Sequence, residues 1–158
     1  MSDPLFTITI DTREQKSPSF RGIPVDTEVD TVKAFDYCIK GDSEFAVERK
    51  GLDDFVNSIT VSKNWEREIR KIEKAKDLFY DGAPLHYVIE GSLSDLTKKY
   101  NYDRRKITPA FTLSRARDIA WDHGVHVWFA EDKRTCADWI FRLLRRRWHM
   151  LKKENKGK

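Results

Sequence analysis

Two short runs of alternating polarity flank a turn at residues 40–44, and they place charged side chains where they can meet. Asp36 lies in the first run, and Glu48 and Lys50 lie in the second with matching parity. If the runs pair as a hairpin symmetric about Asp42, Asp36 faces Glu48 across the strands and Lys50 lies on the same face. Paired carboxylates supply the oxygen ligands that Mg²⁺ prefers, and an adjacent ammonium can orient a water molecule or offset phosphate charge. The pattern indicates a metal-dependent phosphodiesterase site; the alternative is a charged hairpin that is merely solvated.

Further candidate side chains lie before and after this hairpin. Residues 6–11 alternate apolar and polar side chains, which predicts a half-buried strand that ends at Asp11. Arg13 and Glu14 follow directly, at the rim of the same strand. Asp54 lies in the first turn of a predicted helix, where it either supports the site or only interacts favourably with the helix dipole.

Taken in order, these residues resemble the XPF family of structure-selective endonucleases, which carries an ERK motif and belongs to the restriction-like PD-(D/E)xK nucleases. Glu48-Arg49-Lys50 followed by Asp54 is similar to the ERK motif, and Asp11-Thr12-Arg13-Glu14 matches the family's Asp-x-Arg-Glu element. The resemblance covers most of the first sixty residues. It implies an α/β fold with a restriction-endonuclease-like central mixed sheet flanked by helices. It also implies a DNA endonuclease that needs Mg²⁺ or Mn²⁺, cuts branched DNA such as flaps, forks or junctions, and forms a homodimer.

The resemblance also implies a role for each charged side chain of the site. The metal ligands would be Asp36 and Glu48, with Asp11 and Glu14 in support. Lys50 would orient the attacking water. Arg13 and Arg49 are the candidates for bidentate phosphate contact, which an arginine can make and a lysine cannot. Asp54 completes the predicted catalytic set.

A literal reading of the family motif points to a different aspartate. The pattern is written as Gly-Asp followed at a distance by Glu-Arg-Lys, and Gly41-Asp42 matches that text. Asp42 lies at the hairpin tip, six residues from Asp36 and from Glu48. At ~3.3 Å per residue its carboxylate is on the order of 20 Å from the site, too far for a shared metal ion. We therefore predict that Asp36 is the ligand, with Phe35 where the family has Gly.

The rest of the chain predicts alternating strands and helices. The predicted elements are a strand at 6–11, a loop at 15–24, the hairpin at 35–50 with one apolar and one charged face, helices at 52–59 and 62–80, a strand at 85–90, a helix from 108 to 124, a strand at 125–130 and a helix from 132 to about 153. Residues 29–35 are ambiguous between a strand and an irregular approach to the hairpin. This order is typical of an α/β fold.

Length and composition favour one folded domain. With 158 residues, 35% charged and 39% hydrophobic, we expect a single nuclease domain over 1–158, with a basic tail from about residue 152 that can fray. The two cysteines are too few for a disulfide framework, and the N-terminus lacks a signal-peptide pattern. We expect an intracellular, non-secreted protein, cytoplasmic or nucleoid-associated.

Positive charge is concentrated at the C-terminus. Residues 142–158 contain eight Lys and Arg against one Glu, a net of +7, so the remaining residues sum to −3 of the overall +4. Such a block, together with the basic loop at 101–106, favours contact with DNA, although a solvated helix end would look the same.

The same segment motivates a prediction of self-association. The last helix carries a wide apolar face with Trp139 and Trp148 beside it, which favours a homodimer unless these aromatics belong to the core. The alternative function is a non-catalytic DNA-binding or scaffold subunit with a nuclease-like fold. A nuclease acting on RNA or on single strands has the same site chemistry.

Overall fold

The computed structural model describes residues 3–99 and 107–157, which form a mixed α/β fold. The strands are β1 (Phe6–Asp11), β2 (Val25–Asp30), β3 (Tyr37–Ile39), β4 (Glu48–Gly51), β5 (Leu85–Glu90) and β6 (Val125–Phe129). The α-helices are α1 (Leu52–Thr60), α2 (Ser62–Leu78), α3 (Pro109–His123) and α4 (Lys133–Lys156), and a π-helical turn spans Asp95–Lys99. The predicted α/β class is confirmed. The basic loop at 101–106 lies outside the described residues.

The strands form two three-stranded sheets that meet at one point. In the order β2-β1-β3, β1 is parallel to β2 and antiparallel to β3. In the order β4-β5-β6, all strands are parallel. A single bridge between Tyr37 and Val47 connects the two sheets. The mixed sheet is thus interrupted between β3 and β4.

The predicted hairpin is present only at this bridge. Tyr37 and Val47 exchange backbone hydrogen bonds of 3.1 and 2.8 Å, which is the predicted register. One residue further along, the backbone N–H of Arg49 donates to the carboxylate of Asp36, at 3.0 Å, and not to a carbonyl of the facing strand. The side chain thus replaces a ladder hydrogen bond, and each strand pairs instead with its neighbour in its own sheet.

The expectation of one apolar and one charged hairpin face is wrong, because helices cover both faces. Tyr37, Ile39 and Val47 belong to a core cluster that also contains α4 residues. Phe35 and Cys38 belong to a second cluster, with residues of α1, α2 and α3. The sequence parity places Phe35 with Tyr37 and Ile39, but it packs in the second cluster. The reason is its left-handed backbone conformation, with φ of +63°, which turns the side chain to the other face.

The helices form where the sequence predicts them, because their signals are local. Phe55, Val56 and Ile59 of the predicted stripe are buried on α1. Thr108 accepts a hydrogen bond from the N–H of Phe111 and caps α3, and Asp132 caps α4 in the same way. Strand β2 was not predicted as such, because most of its side chains are polar and exposed at a sheet edge.

The two predicted aromatics of α4, Trp139 and Trp148, are partly buried and pack against a core cluster. Trp139 stacks on Trp128 with ring centroids 4.4 Å apart, and Trp148 lies 5.9 Å from Phe6. These contacts favour the alternative that the two aromatics belong to the core, and the homodimer stays a prediction. Among the described residues, the most exposed large hydrophobic side chain is Trp121 on α3, which is 86% accessible. Within residues 3–99 and 107–157, no helix is long and apolar enough to cross a membrane.

A buried histidine makes the fold sensitive to acid. The Nδ1 atom of His86 accepts a hydrogen bond of 3.0 Å from the indole N–H of Trp128, and its ring stacks on His126. Burial, followed by the charge of His126, lowers the pKa of His86 to about 4. Between about pH 6.5 and 4 the unfolded chain therefore binds more protons at this residue, so the free energy of unfolding falls as the pH falls.

We expect this effect to reach on the order of 3 kcal/mol at the acid end. His86→Asn keeps a hydrogen-bond acceptor but cannot titrate, so its unfolding free energy should depend less steeply on pH between 6.5 and 4.5. Urea unfolding of both proteins across that range measures the difference. Parallel pH profiles would show that His86 is not the acid-sensitive group.

Candidate active site

An open depression of about 430 Å³ gathers most of the predicted charged residues. It is lined by Arg13, Glu14, Asp36, Glu48, Arg49, Lys50, Asp54, Asn57, Ser58 and Asn64. Seven of the eight predicted site residues are in this set. Asp11 is not, but it adjoins the depression through Arg13, with which it forms an ion pair. Asn57, Ser58 and Asn64, from α1 and α2, were not predicted.

Asp36 and Glu48 line the same depression, where the two sheets meet. The backbone N–H of Asp36 donates to the carbonyl of Val47, and its carboxylate accepts the N–H of Arg49, so Asp36 is directed at the start of β4. Burial raises the pKa of Asp36 to about 6, against the opposing effects of the Arg49 N–H and the Lys71 charge. A carboxylate with a raised pKa in a polar depression is typical of functional sites.

Glu48 is the most enclosed carboxylate of the depression, with a side chain 2% exposed. Its Oε1 atom is buried and has no hydrogen-bond partner. Its Oε2 atom is in contact with the ammonium of Lys71 and lies 3.7 Å from that of Lys50. An orphaned buried oxygen is costly unless a further group completes its coordination.

The two lysines share a second carboxylate, Glu68 on α2. Lys50 lies 3.2 Å from Glu68 Oε1, and Lys71 lies 3.7 Å from Glu68 Oε2. The hydroxyl of Tyr87, from β5, donates to the same carboxylate. Burial lowers the pKa of Lys71, and the neighbouring carboxylate of Asp36 opposes that shift. Glu68 thus fixes the ammonium of Lys50 beside Glu48.

Arg49 is enclosed by carboxylates. Its Nε and Nη2 atoms donate to the two oxygens of Glu14 at 3.0 and 3.1 Å, and its Nη1 atom donates to Glu90 at 2.9 Å. Burial raises the pKa of Glu14, but the hydrogen bond and charge of Arg49 outweigh it and hold the pKa below its usual range. Both oxygens of Glu14 are therefore already engaged with Arg49.

Asp11 and Arg13 form an ion pair at the rim of the site, in which one side chain is buried and the other is exposed. Asp11 accepts the N–H of Val32 at 3.0 Å on one oxygen and the Nε of Arg13 at 2.8 Å on the other. The Arg13 side chain is nevertheless 76% exposed, whereas Asp11 is buried. Arg13 is therefore the arginine of the predicted pair that faces solvent.

Asp42, the literal motif match, does not line the depression and has another partner. Its carboxylate accepts Nε and Nη2 of Arg147 from α4, at 2.9 and 3.1 Å. Both side chains are buried, and Arg147 also lies over the ring of Tyr80, 4.6 Å from its centroid. Asp42 therefore anchors the turn after β3 to α4.

Comparison with known proteins gives the family. A model of the ERCC4 domain matches residues 10–143. The chain belongs to the ERCC4 domain family. This is the nuclease-domain family of XPF, and the match confirms the resemblance read from the motifs. No curated protein sequence matches the chain at a significant level.

Two solved structures share the fold of this ERCC4 domain. XPF from Aeropyrum pernix superposes with a TM-score of 0.65 at 20% identity, over 88% of this chain and 60% of that one. XPF from the same organism in complex with DNA gives 0.66 at 19% identity, over 89% and 64%. This chain spans less than two thirds of either structure, and at this identity the likeness shows the fold.

The donor groups of this ERCC4 domain suit a magnesium ion with few protein ligands. Among the described residues, no three His, Cys, Asp or Glu side chains converge as a metal cluster. Mg²⁺ is commonly held by one or two carboxylates together with water and substrate phosphate, so Asp36 and Glu48 are sufficient. The unpartnered Oε1 of Glu48 is the observation that fits such an ion.

Several residues of the ERCC4 site could be found only in the structure. Glu68 and Lys71 come from α2, and Glu90 and Tyr87 come from β5. One sequence signal existed, because Glu68, Ile72 and Ala75 are spaced as a buried helical stripe. A carboxylate on such a stripe indicates a buried partner.

Proposed function

We propose that this ERCC4 domain is a Mg²⁺- or Mn²⁺-dependent endonuclease that hydrolyses phosphodiester bonds in DNA. The observation that carries the proposal is that Asp36 and Glu48 line one depression, and that the buried Oε1 atom of Glu48 has no hydrogen-bond partner while its Oε2 atom lies 3.7 Å from Lys50. Asp36 and Glu48 would hold the ion. When bound, it would polarise the scissile phosphate and acidify a water molecule.

Lys50 would orient the attacking water molecule. Its ammonium is fixed between Glu48 and Glu68 and is largely enclosed. Fixed there, it can donate a hydrogen bond to a water molecule beside the two carboxylates, and it offsets negative charge as the phosphate is attacked. Glu68 acts on the reaction through Lys50, so it is a positioning residue.

The two arginines take different parts in this proposal. Arg13 projects into solvent at the rim and can make a bidentate contact with a DNA phosphate. Arg49 already donates to Glu14 and Glu90, so its role is to join β4 to the segment after β1 and, through its backbone N–H, to hold Asp36. Glu14 would act on the metal ligands through its ion pair with Arg49, and Asp11 through the hydrogen bond from its backbone N–H to the carbonyl of Asp36.

DNA is the substrate that charge and family favour. From residue 142 onward, the exposed cations of α4 are Arg142, Arg145, Arg146, Lys152, Lys153 and Lys156. Such a row can neutralise phosphates along a strand, which makes binding steeply salt-dependent. One of the structural neighbours, XPF from Aeropyrum pernix, was solved in complex with DNA. A preference for branched DNA follows from the family resemblance alone.

The experiment that tests the function is a cleavage panel of labelled duplex, flap, fork and four-way-junction DNA, with matched RNA and single strands, with Mg²⁺, with Mn²⁺ and with chelator. We expect metal-dependent cuts near the branch points. Binding without cleavage under every condition would instead identify a non-catalytic DNA-binding or scaffold subunit. Cleavage of RNA or of single strands alone would show that double-stranded and branched DNA are not the substrates.

We also propose that the chain forms a homodimer through α3 and β6. Trp121 projects from α3 beside an apolar depression of about 560 Å³ that includes residues 125–129 of β6. An exposed aromatic beside an apolar groove is typical of an interface.

Trp121→Glu is expected to give a monomer where wild type is a dimer, because the change places a charge in the interface. Light scattering at micromolar concentration reads the mass directly. Val29→Glu, at an exposed apolar side chain on the edge strand β2 of the other sheet, is the matched control and should remain dimeric. A wild-type monomer that cleaves DNA would rule out the dimer.

A further inference from the structure

Two lysines lie beside Glu48, and they are not equivalent. Lys50 is on β4, only 11% of its side chain is exposed, and it lies closer to Glu68 than to Glu48. Lys71 reaches over from α2, its side chain is 35% exposed, and its ammonium is in contact with Glu48 Oε2. Lys50 is therefore held by its surroundings, whereas the more exposed side chain of Lys71 can change its conformation.

A second position for Lys71 already exists. Its ammonium lies 3.7 Å from Oε2 of Glu68, one helical turn away on the same helix. Pairs spaced in this way on a helix surface are natural neighbours. A rotation of the outer part of the side chain can transfer the ammonium from Glu48 to Glu68 without moving either backbone.

The charges of the site favour such a transfer when a cation binds Glu48. Glu48 is almost fully enclosed, and a buried carboxylate without a counterion is strongly unfavourable. A divalent ion on Glu48 would face the ammonium of Lys71 at close range, where like charges repel strongly in a partly dry site. Metal ion and Lys71 therefore compete for the same carboxylate.

We propose that Lys71 is a resident cation that neutralises Glu48 in the metal-free protein, moves to Glu68 when a metal ion binds, and thereby sets the metal affinity of the site. This rests on the proposed function insofar as Glu48 is taken as a metal ligand. Lys71 is then a positioning residue that acts on the reaction through Glu48. Its presence weakens metal binding, and its removal should strengthen it.

The test is Mn²⁺ binding to the full chain without DNA, measured from the spectrum of free Mn²⁺ by electron paramagnetic resonance. Lys71→Met keeps the length of the side chain and removes the charge, so it should bind Mn²⁺ at least tenfold more tightly than wild type. Lys71→Gln keeps a donor for Glu48 and should also bind more tightly, which covers the case in which Lys71→Met does not fold. Lys74→Met, on the exposed side of α2, should bind like wild type.

A second measurement tests the same competition through the stability of the protein. Saturating Mn²⁺ should raise the thermal unfolding midpoint more in Lys71→Met than in wild type, because the metal-free variant leaves Glu48 without its close counterion. Unchanged or weaker Mn²⁺ binding in both Lys71 variants would overturn the inference, whether or not wild type binds detectably. Wild type that binds Mn²⁺ but cuts no nucleic acid would overturn the proposed function and leave this comparison intact.

Discussion

Glu48→Gln is expected to lower the metal-dependent cleavage rate by about a thousandfold or more, which corresponds to ~4 kcal/mol of transition-state stabilisation. Glutamine keeps the shape of the side chain but loses the negative charge that would hold the ion. The Glu48 side chain is only 2% exposed and its Oε1 atom has no hydrogen-bond partner, so that oxygen is free of protein donors and open to an ion. The measurement is the single-turnover rate on the best substrate of the panel at saturating Mg²⁺.

The control for this variant is Glu66→Gln, which makes the same chemical change on the exposed side of α2. It should cleave at the wild-type rate. Urea unfolding of Glu48→Gln should show a folded protein, so that lost activity reflects lost chemistry. Glu48→Gln that retains more than a tenth of the wild-type rate would show that the metal ion is held elsewhere.

Arg147→Met should lower the free energy of unfolding by about 3–5 kcal/mol, the usual cost of leaving a buried charge without its partner. The Asp42 carboxylate accepts two hydrogen bonds from Arg147, and the Arg147 side chain is only 2% exposed. Removal of the guanidinium also removes its contact with the ring of Tyr80. Urea unfolding with a linear extrapolation measures the loss.

The matched double variant shows whether the pair is responsible. Asp42→Asn alone should also destabilise, while Asp42→Asn with Arg147→Met should lose clearly less than the sum of the single losses, because no charge then remains buried without a partner. A loss below 1 kcal/mol for Arg147→Met, or strict additivity, would mean that the ion pair does not stabilise the turn after β3.

The helices of this protein could be predicted because each carries its own signal. The apolar stripe of α1 and the caps of α3 and α4 involve residues a few positions apart, so no tertiary information is needed. Sheet pairing is different, because β3 pairs with β1 and β4 pairs with β5, which are distant in sequence. The hairpin prediction was therefore right in register at Tyr37 and Val47 but wrong in extent.

The candidate site divides along the same line. Asp36, Glu48 and Lys50 could be placed together from the parity of two adjacent runs, and the depression contains all three. Glu68 and Lys71 lie on a helix and Glu90 lies on a later strand, so the residues of the motif region do not predict them. The partner of Asp42 was equally hidden, because Arg147 lies 105 residues away.

A magnesium titration of DNA cleavage by wild type, Asp36→Asn and Asp42→Asn, run side by side on one substrate, decides which aspartate belongs to the metal site. The structure places Asp36 in the depression beside Glu48 and pairs Asp42 with Arg147 outside it. We predict that wild type cleaves with a saturable dependence on Mg²⁺, that Asp36→Asn does not cleave at any Mg²⁺ concentration, and that Asp42→Asn cleaves at near the wild-type rate at a temperature where it is folded. Activity in Asp36→Asn together with its loss in folded Asp42→Asn would contradict the assignment.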